Sequence, residues 1–424
     1  MSIVVSVAPR TRVPRHQRII VGSPSSVWFI LAQLAPMVLI SAAFLARGEV
    51  LTDTLWGGVP IITHLAATSV IMPLAAQASS GAVYSAISGL PPRAFGAIAA
   101  RCVRAAPRSI AIGAPFAALL ALVLAVALGL NAEGTAALLA YVGVNFIFAA
   151  AITFAYVVRS TPIIVASWTA FAVGLAVGPQ FWWLPATLAA VVCIASVVTV
   201  ASAQRTSPVV LPPVSQAIRH SVRGVLDALP LWSIPFLILV TNPADTAMGT
   251  LFLCVLPALI LYQVYFSLIA RPMWLELHLF RTALERTTVT EATSIGGPLR
   301  RLARSGWIVL LLGVIAGMSF AVIMAGLDDA FAIALPLAAA SIAGTAMIAE
   351  STRLTAVTGG WATSAAGLLP PLAYLSVWSI AGEEAGLWAF ALTCTITVAA
   401  LAATNARLWR DLRYQLFWRR AASA

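Results

Sequence analysis

Long apolar runs constrain the possible folds of this chain more than any other feature. A helix needs about 20 mostly apolar residues to cross a bilayer, and the sequence offers twelve such stretches. The chain is 61% hydrophobic and only 9% charged, whereas soluble domains carry about 25% charged residues. The sequence therefore predicts an all-α, polytopic membrane protein. The predicted spans are residues 27–46, 58–78, 109–130, 135–158, 162–178, 180–203, 229–242, 246–270, 307–327, 330–349, 355–380 and 386–405.

The positions of the basic residues predict the orientation of these spans. All 25 basic residues are arginines. With twelve spans and both termini inside, only Arg47 falls on the outer side. This one-sided distribution is what the positive-inside rule produces, and it predicts a bacterial cytoplasmic membrane protein with cytoplasmic termini. The net charge of +11 is then explained by arginines that keep the inner loops on the cytoplasmic side. We therefore expect no nucleic-acid partner.

The layout of the spans repeats along the chain. Arg-rich inner segments follow span two (79–108) and span eight (271–306), and corresponding span edges in the two halves are separated by about 192 to 201 residues. Parallel repeats of this kind occur in transporters, so we expect two six-helix bundles related by a pseudo-twofold axis. The predicted divisions are a cytoplasmic arm (1–26), an N-terminal bundle (27–204), a cytoplasmic linker (205–228), a C-terminal bundle (229–405) and a cytoplasmic tail (406–424).

The segment after span eight has an amphipathic pattern. Its apolar residues recur at helical spacing, which predicts a helix continuing out of span eight, and Gly296, Gly297 and Pro298 are expected to break that helix. The apolar stripe consists of Met273, Leu277, Phe280 and Leu284.

Four arginines of the two inner segments are candidate contacts for an anionic headgroup at the inner mouth of a central cleft. They are Arg93, Arg101, Arg271 and Arg281. The alternative is that these helices lie on the inner leaflet, with their arginines meeting anionic membrane lipids.

The exit from span eight carries Pro272, Trp274 and Glu276, followed by arginines before span nine (Arg300, Arg301 and Arg304). With the two-bundle layout, this pattern resembles the polysaccharide flippase branch of the superfamily that also contains multidrug extrusion proteins and the lipid II flippase. The resemblance implies that the protein moves a lipid-linked oligosaccharide from the inner to the outer leaflet by alternating access. It also implies an amphiphilic, lipid-linked substrate and glycan-assembly enzymes as partners.

Uncharged polar residues within the spans are the candidates for lining the cleft, because no charge lies near any predicted span centre. Polar groups within a membrane are costly and often functional, although hydrogen bonding between helices is the alternative for each of them. The candidates are His64, Gln77, Asn145, Tyr262, Gln263 and Tyr265.

Motifs for catalysis, nucleotide hydrolysis or metal binding are missing from the sequence. The four cysteines are scattered without metal-ligand spacing. We therefore expect a transporter without catalytic residues, metal or cofactor, and not an enzyme. Three transporter classes remain open beside the flippase: an extrusion-type carrier of drugs or small molecules, a major-facilitator carrier, and the permease subunit of an ABC exporter.

Overall fold

A computed structural model provides the fold of this chain. It describes residues 47–87, 90, 94–158, 160–178, 180–202, 211–242, 248–270, 272–274, 276–277, 289–327, 333–358 and 361–410. The predicted first span, 27–46, lies outside the described residues.

The described chain is almost entirely helical. A short helix, α1 (47–53), precedes a hairpin of two antiparallel strands, β1 (Leu55–Trp56) and β2 (Val59–Pro60). The helices of the first half that follow are α2 (Ile61–Ile87), α3 (Phe95–Ala127), α4 (Ala132–Val158), α5 (Thr161–Val177) and α6 (Leu184–Ser202). The helices of the second half are α7 (Val214–Thr241), α8 (Met248–Tyr265), α9 (Val289–Leu327), α10 (Ala334–Thr358), α11 (Trp361–Ala365) and α12 (Leu369–Arg410).

The spans agree with the twelve-helix prediction. In the described part of the chain, nine helices are long and apolar enough to cross a membrane, and α5 is a shorter apolar helix. Helix α12 contains the last predicted span and the second half of the one before it, joined by a turn at Gly382, whose φ of 85° is outside the helical region. Glycine suits this turn because it adopts positive φ without a Cβ clash.

The buried cores divide the molecule into two bundles. One large core is formed by α7 to α10 and α12, and another by α1 to α6. A third core joins α2, α3 and α4, and Leu239 of α7 also enters it. The prediction of an all-α membrane protein with two helical bundles is therefore confirmed.

The bundles meet along α2 and α7, which pack closely against each other. Glycines permit this approach. A Cβ added to Gly81 would overlap the backbone of Ser221, and one added to Gly224 would lie 3.2 Å from the carbonyl oxygen of Gln77. Small residues at such positions let the backbones of membrane helices approach.

Several helix boundaries differ from the predictions: α3 begins at Phe95 and α10 ends at Thr358, both beyond their predicted spans. Helix α7 begins at Val214, inside the predicted linker, because charged residues lower the hydropathy of its amphipathic first turns without preventing helix formation. Helix α9 runs continuously through Gly296, Gly297 and Pro298, so the predicted break is wrong. Propensity costs about 1 kcal/mol per glycine and about 3 for proline, but structural context routinely overrides it.

Candidate functional site

Aromatic side chains gather where α7 and α8 approach α2. The Tyr262 ring lies 4.4 Å from the ring of Phe266 and 6.0 Å from that of Trp232, between centroids. The phenol of Tyr84, on α2, is close enough to interact electrostatically with Tyr262, and its side chain is 52% exposed. We call Tyr84, Trp232, Tyr262 and Phe266 the seam aromatics. Tyr84 was missed at the sequence level because a single tyrosine near the end of an apolar run carries no distinctive signal.

Tyr262 is itself one of the six candidate cleft residues, and the ring of a second, Tyr265, lies 5.7 Å from that of Phe266. Tyr262 and Gln263 are half-buried near the C-terminal end of α8. Gln77 is half-buried on α2, and its carbonyl and side-chain oxygens face Gly224 of α7. These residues bring amide and phenol groups to the helices at which the two bundles meet.

His64 lies elsewhere, in an aromatic cluster of the N-terminal bundle. Its side chain is fully buried, and its Nε2 lies 3.1 Å from the carbonyl oxygen of Trp56. The imidazole stacks on Tyr141 at 5.6 Å between centroids, and the Trp56 ring stacks on Trp182 at 3.9 Å. The histidine therefore ties the start of α2 to strand β1, whereas the sequence suggested a neighbouring helix as its alternative partner.

Asn145 and Tyr265 are also buried within single bundles. The Asn145 Nδ2 donates to the carbonyl oxygen of Tyr141, one turn earlier on α4, at 2.9 Å. Tyr265 is fully buried in the core of the C-terminal bundle, where Gly306 of α9 leaves room for its ring. The Tyr265 ring also lies 5.7 Å from that of Phe266, between centroids, in an edge-on arrangement, so Tyr265 borders the seam aromatics from the core.

A buried ion pair lies on α10. The Arg353 Nη1 donates to Glu350 Oε1 at 2.6 Å, and the side chains are only 6% and 0% exposed, respectively. The Nδ2 of Asn405 donates to Glu350 Oε2 at 2.7 Å and to the Glu350 carbonyl oxygen at 3.0 Å. The Arg353 guanidinium lies 5.7 Å from the ring centroid of Trp307 and 5.9 Å from that of Trp409, within the range of cation–π attraction.

Sequence reasoning missed this pair because its two charges were assigned to an inner turn. Helix α10 instead continues to Thr358 and carries the pair within its membrane-spanning length. The available signal was the i, i+3 spacing of opposite charges, which places both on one helix face.

Unpaired polar atoms accumulate near this ion pair. Four buried atoms of the surrounding side chains have no hydrogen-bond partner within the described part of the chain: Tyr265 Oη, Arg353 Nε, Asn405 Oδ1 and Trp409 Nε1. Each such atom costs about 1–3 kcal/mol. The core of the C-terminal bundle therefore contains a polar centre that reduces the free energy of unfolding.

A second polar group joins α7 to α10. Arg223 and Asp227 form an ion pair at 3.7 Å, with side chains 17% and 29% exposed. The Arg223 Nη2 donates to Thr355 Oγ1 at 2.8 Å, and the Ser351 Oγ donates to Asp227 Oδ1 at 3.3 Å. Helix α10 thus directs one polar face to the bundle core and another to α7, which contacts the N-terminal bundle.

Of the four predicted headgroup contacts, only Arg101 is described by the structure. Its Nη1 donates to the carbonyl oxygen of Ala86 at 2.9 Å, at the end of α2, where a cation is favoured by the helix dipole. Arg93, Arg271 and Arg281 lie outside the described residues. The headgroup role of all four stays a prediction.

Among the described residues, no group of three or more histidine, cysteine or acidic side chains could hold a metal ion. The four cysteines are free and buried, as expected of small core residues.

Comparison with solved structures identifies the fold. The chain is similar to a mutant of a MATE protein (TM-score 0.59, 11% identity), with 92% of this chain and 96% of that one covered. It is also similar to a MOP superfamily transporter from Pyrococcus furiosus (TM-score 0.57, 12% identity), described as having a binding pocket of reverse polarity, with 92% and 96% coverage. An outward-facing multidrug resistance MATE family transporter matches with a TM-score of 0.53, 14% identity and the same coverage.

These likenesses show the two-bundle fold of MATE transporters over nearly the whole chain. No protein-family model matches the sequence, and no curated protein matches it.

Proposed function

We propose that this protein is a membrane transporter that moves a lipid-linked oligosaccharide, or a related envelope glycan precursor, across the cytoplasmic membrane by alternating access. The fold supports the transport part of this proposal, because the similar structures are transporters with two bundles. Two bundles that meet at a narrow seam can rock against each other and expose a site to each side in turn.

The choice of substrate rests on the residues of the seam, which is the region where α2 of one bundle packs against α7 of the other. Tyr84, Tyr262 and Phe266 offer aromatic faces, while Gln77 offers an amide. Aromatic faces pack against the apolar faces of sugar rings, and amides exchange hydrogen bonds with hydroxyl groups.

The charge of the seam supports a neutral or anionic substrate over an organic cation. Within helices α2, α7 and α8, all of which the structure describes, Asp227 is the single carboxylate, and Arg223 neutralises it. An exporter of cationic drugs gains from unpaired negative charge in its cleft, and these helices supply none.

The exit from α8 also supports the flippase resemblance. A π-helix, Phe266–Ala270, follows α8, and such segments often occur at functional sites. Met273 and Leu277 beyond it are buried, whereas Trp274 is exposed. This one-sided burial matches the amphipathic stripe predicted there.

Deletion of the gene tests the proposed substrate. We expect lipid-linked glycan intermediates to accumulate in the inner leaflet and surface glycan to fall. Complementation with Tyr84→Ala should restore little glycan, because that variant removes an exposed seam aromatic. Trp388→Ala, which removes a similarly exposed aromatic from α12, is the matched control and should complement fully. Normal surface glycan in the deletion strain would refute the proposal.

A further inference from the structure

The two halves of α7 differ in how much of their length is buried. We call residues 214–229, on the predicted cytoplasmic side, the inner half of α7, and residues 230–241 its outer half. The inner half has three buried residues: Ala217, Ser221 and Ala228. The outer half has eight: Pro230, Leu231, Ser233, Ile234, Pro235, Leu237, Ile238 and Leu239. Segments with few buried contacts open at low free energy, so the inner half is the part of α7 that moves more easily.

The outer half is anchored in the C-terminal bundle. Thr241 Oγ1 and Tyr374 Oη of α12 lie 2.9 Å apart, within hydrogen-bond distance, and the Asn242 Nδ2 donates to Glu383 Oε2 at 2.8 Å. Movement of this half would break both contacts and would also disrupt the bundle core. Four of its side chains belong to that core: Leu231, Ile234, Leu237 and Ile238.

Side-chain hydrogen bonds hold the inner half in place. The Arg223 Nη2 donates to Thr355 Oγ1 of α10 at 2.8 Å. Just before the helix begins, the carbonyl oxygen of Pro212 accepts a hydrogen bond from Arg108 Nη1 of α3 at 2.5 Å. Such bonds exchange for bonds to water at a small net cost. The contacts of the inner half can therefore open where water enters.

A proline separates the two halves. Pro230 has no backbone N–H, so the carbonyl oxygen of Leu226 lacks its usual donor within the helix, and a bend is favoured there. Two glycines of the C-terminal bundle lie against this turn. A Cβ added to Gly344 would overlap the carbonyl oxygen of Pro230, and one added to Gly367 would overlap that of Leu226. The backbone of α7 is thus fixed on its bundle at residues 226–230, where the helix is also weakest.

The inner half closes the seam in this structure. Ser221 lies against Gly81 of α2, and Gly224 lies against Gln77. Both contacts lie on the cytoplasmic side of Trp232, the seam aromatic that α7 provides. Access from the cytoplasm along α7 therefore requires the inner half to leave α2.

We propose that the inner half of α7 is a gate that pivots at residues 226–230, away from α2 and α3, while the outer half stays in the bundle core. This inference rests on the transport part of the proposed function and not on the identity of the substrate. It differs from rocking of two rigid bundles, in which Arg223 and Thr355 would stay together throughout. A pivoting gate separates them each time it opens.

Two cysteine pairs distinguish a pivoting gate from rigid bundles. Arg223→Cys with Thr355→Cys joins the inner half to α10, and Thr241→Cys with Tyr374→Cys joins the outer half to α12. A short bifunctional thiol reagent links each pair in the full-length protein in inverted membrane vesicles. The four native cysteines are buried, and the protein without added cysteines is the control for their reaction.

Ser221→Cys reports the opening of the gate. The Ser221 side chain is buried against Gly81, so a membrane-impermeant maleimide added on the cytoplasmic side reaches it when the gate is open. Because labelling follows the population of the open form, we expect the inner link to slow it about tenfold and the outer link to leave it unchanged. Pro230→Ala restores the missing donor and should slow labelling several-fold, whereas Pro235→Ala, in the outer half, should not.

Labelling at the full rate with the inner pair linked would overturn the proposal. Equal slowing by both links, equal effects of the two proline variants, or no labelling in the unlinked protein would also overturn it. Each double-cysteine variant without reagent should label like Ser221→Cys alone, which checks that it folds. Labelling needs no substrate, so a gate that opens in a protein unable to move glycan would refute the proposed substrate alone. Glycan movement with the inner pair linked would refute the gate alone.

Discussion

Replacement of Glu350 by alanine should strongly destabilise the C-terminal bundle. The change removes the 2.6 Å contact to Arg353 and the 2.7 Å hydrogen bond from Asn405. Arg353 would then be a buried cation without a carboxylate. Breaking a buried pair from one side costs about 3–5 kcal/mol, because the remaining charge stays desolvated.

A double variant separates the cost of the unpaired charge on Arg353 from the cost of lost side-chain packing. In the double variant Glu350→Ala/Arg353→Met both charges are gone, and an apolar replacement of a whole buried pair is often neutral or stabilising. The ion pair of Arg223 and Asp227, whose side chains are 17% and 29% exposed, provides the comparison. Asp227→Asn should cost less than Glu350→Ala, since this pair keeps partial access to water and is weaker for it.

Thermal unfolding of the purified protein in detergent measures these differences. Trp307 and Trp409 flank Arg353, so intrinsic fluorescence reports on this region. At roughly 2 °C per kcal/mol for a chain of this size, Glu350→Ala should lower the unfolding temperature by roughly 6–10 °C, with much of the loss recovered in the double variant. A Glu350→Ala protein as stable as wild type would refute the reasoning, as would a double variant less stable than the single one.

Two further substitutions test the seam and the aromatic cluster. Gly81→Ala should weaken the packing of α2 on α7 by about 1–3 kcal/mol, because the new Cβ overlaps Ser221; Gly143→Ala, with nothing within 4 Å of its Cβ, should unfold no earlier than wild type. His64→Phe should lower the unfolding temperature by removing the hydrogen bond between His64 Nε2 and the Trp56 carbonyl oxygen, at a cost of about 1 kcal/mol, while transport per folded molecule stays normal. Equal effects of the two glycine variants would contradict the first prediction, and transport lost at unchanged stability would contradict the second.

The sequence predicted the features that depend on hydropathy and failed where polar residues continue a helix. Spans and bundles follow from apolar runs, because a bilayer leaves few ways to satisfy the backbone. The charged residues in the first turns of α7 lowered its hydropathy, so its start at Val214 was not predicted. Helix α9 continues through Gly296, Gly297 and Pro298 although these residues have low helix propensity.

Candidate site residues were harder to predict, because polarity within a span does not reveal which way a side chain faces. Gln77 and Tyr262 lie near the seam and Tyr265 borders it through Phe266, while His64 and Asn145 are buried within the N-terminal bundle. Glu350 and Arg353 went unnoticed because the predicted span ends at residue 349, so both charges were assigned to a turn, whereas α10 continues to Thr358.

Flipping by the purified protein tests the central claim most directly. The protein is reconstituted into vesicles containing a fluorescent lipid-linked oligosaccharide, and a quencher that cannot cross the bilayer reports how much of it reaches the other leaflet. We predict that wild-type protein speeds this movement over protein-free vesicles, that Tyr84→Ala abolishes most of the gain, and that Trp388→Ala keeps it. Vesicles that accumulate a lipophilic organic cation but do not move the oligosaccharide would contradict the account and identify a drug exporter instead.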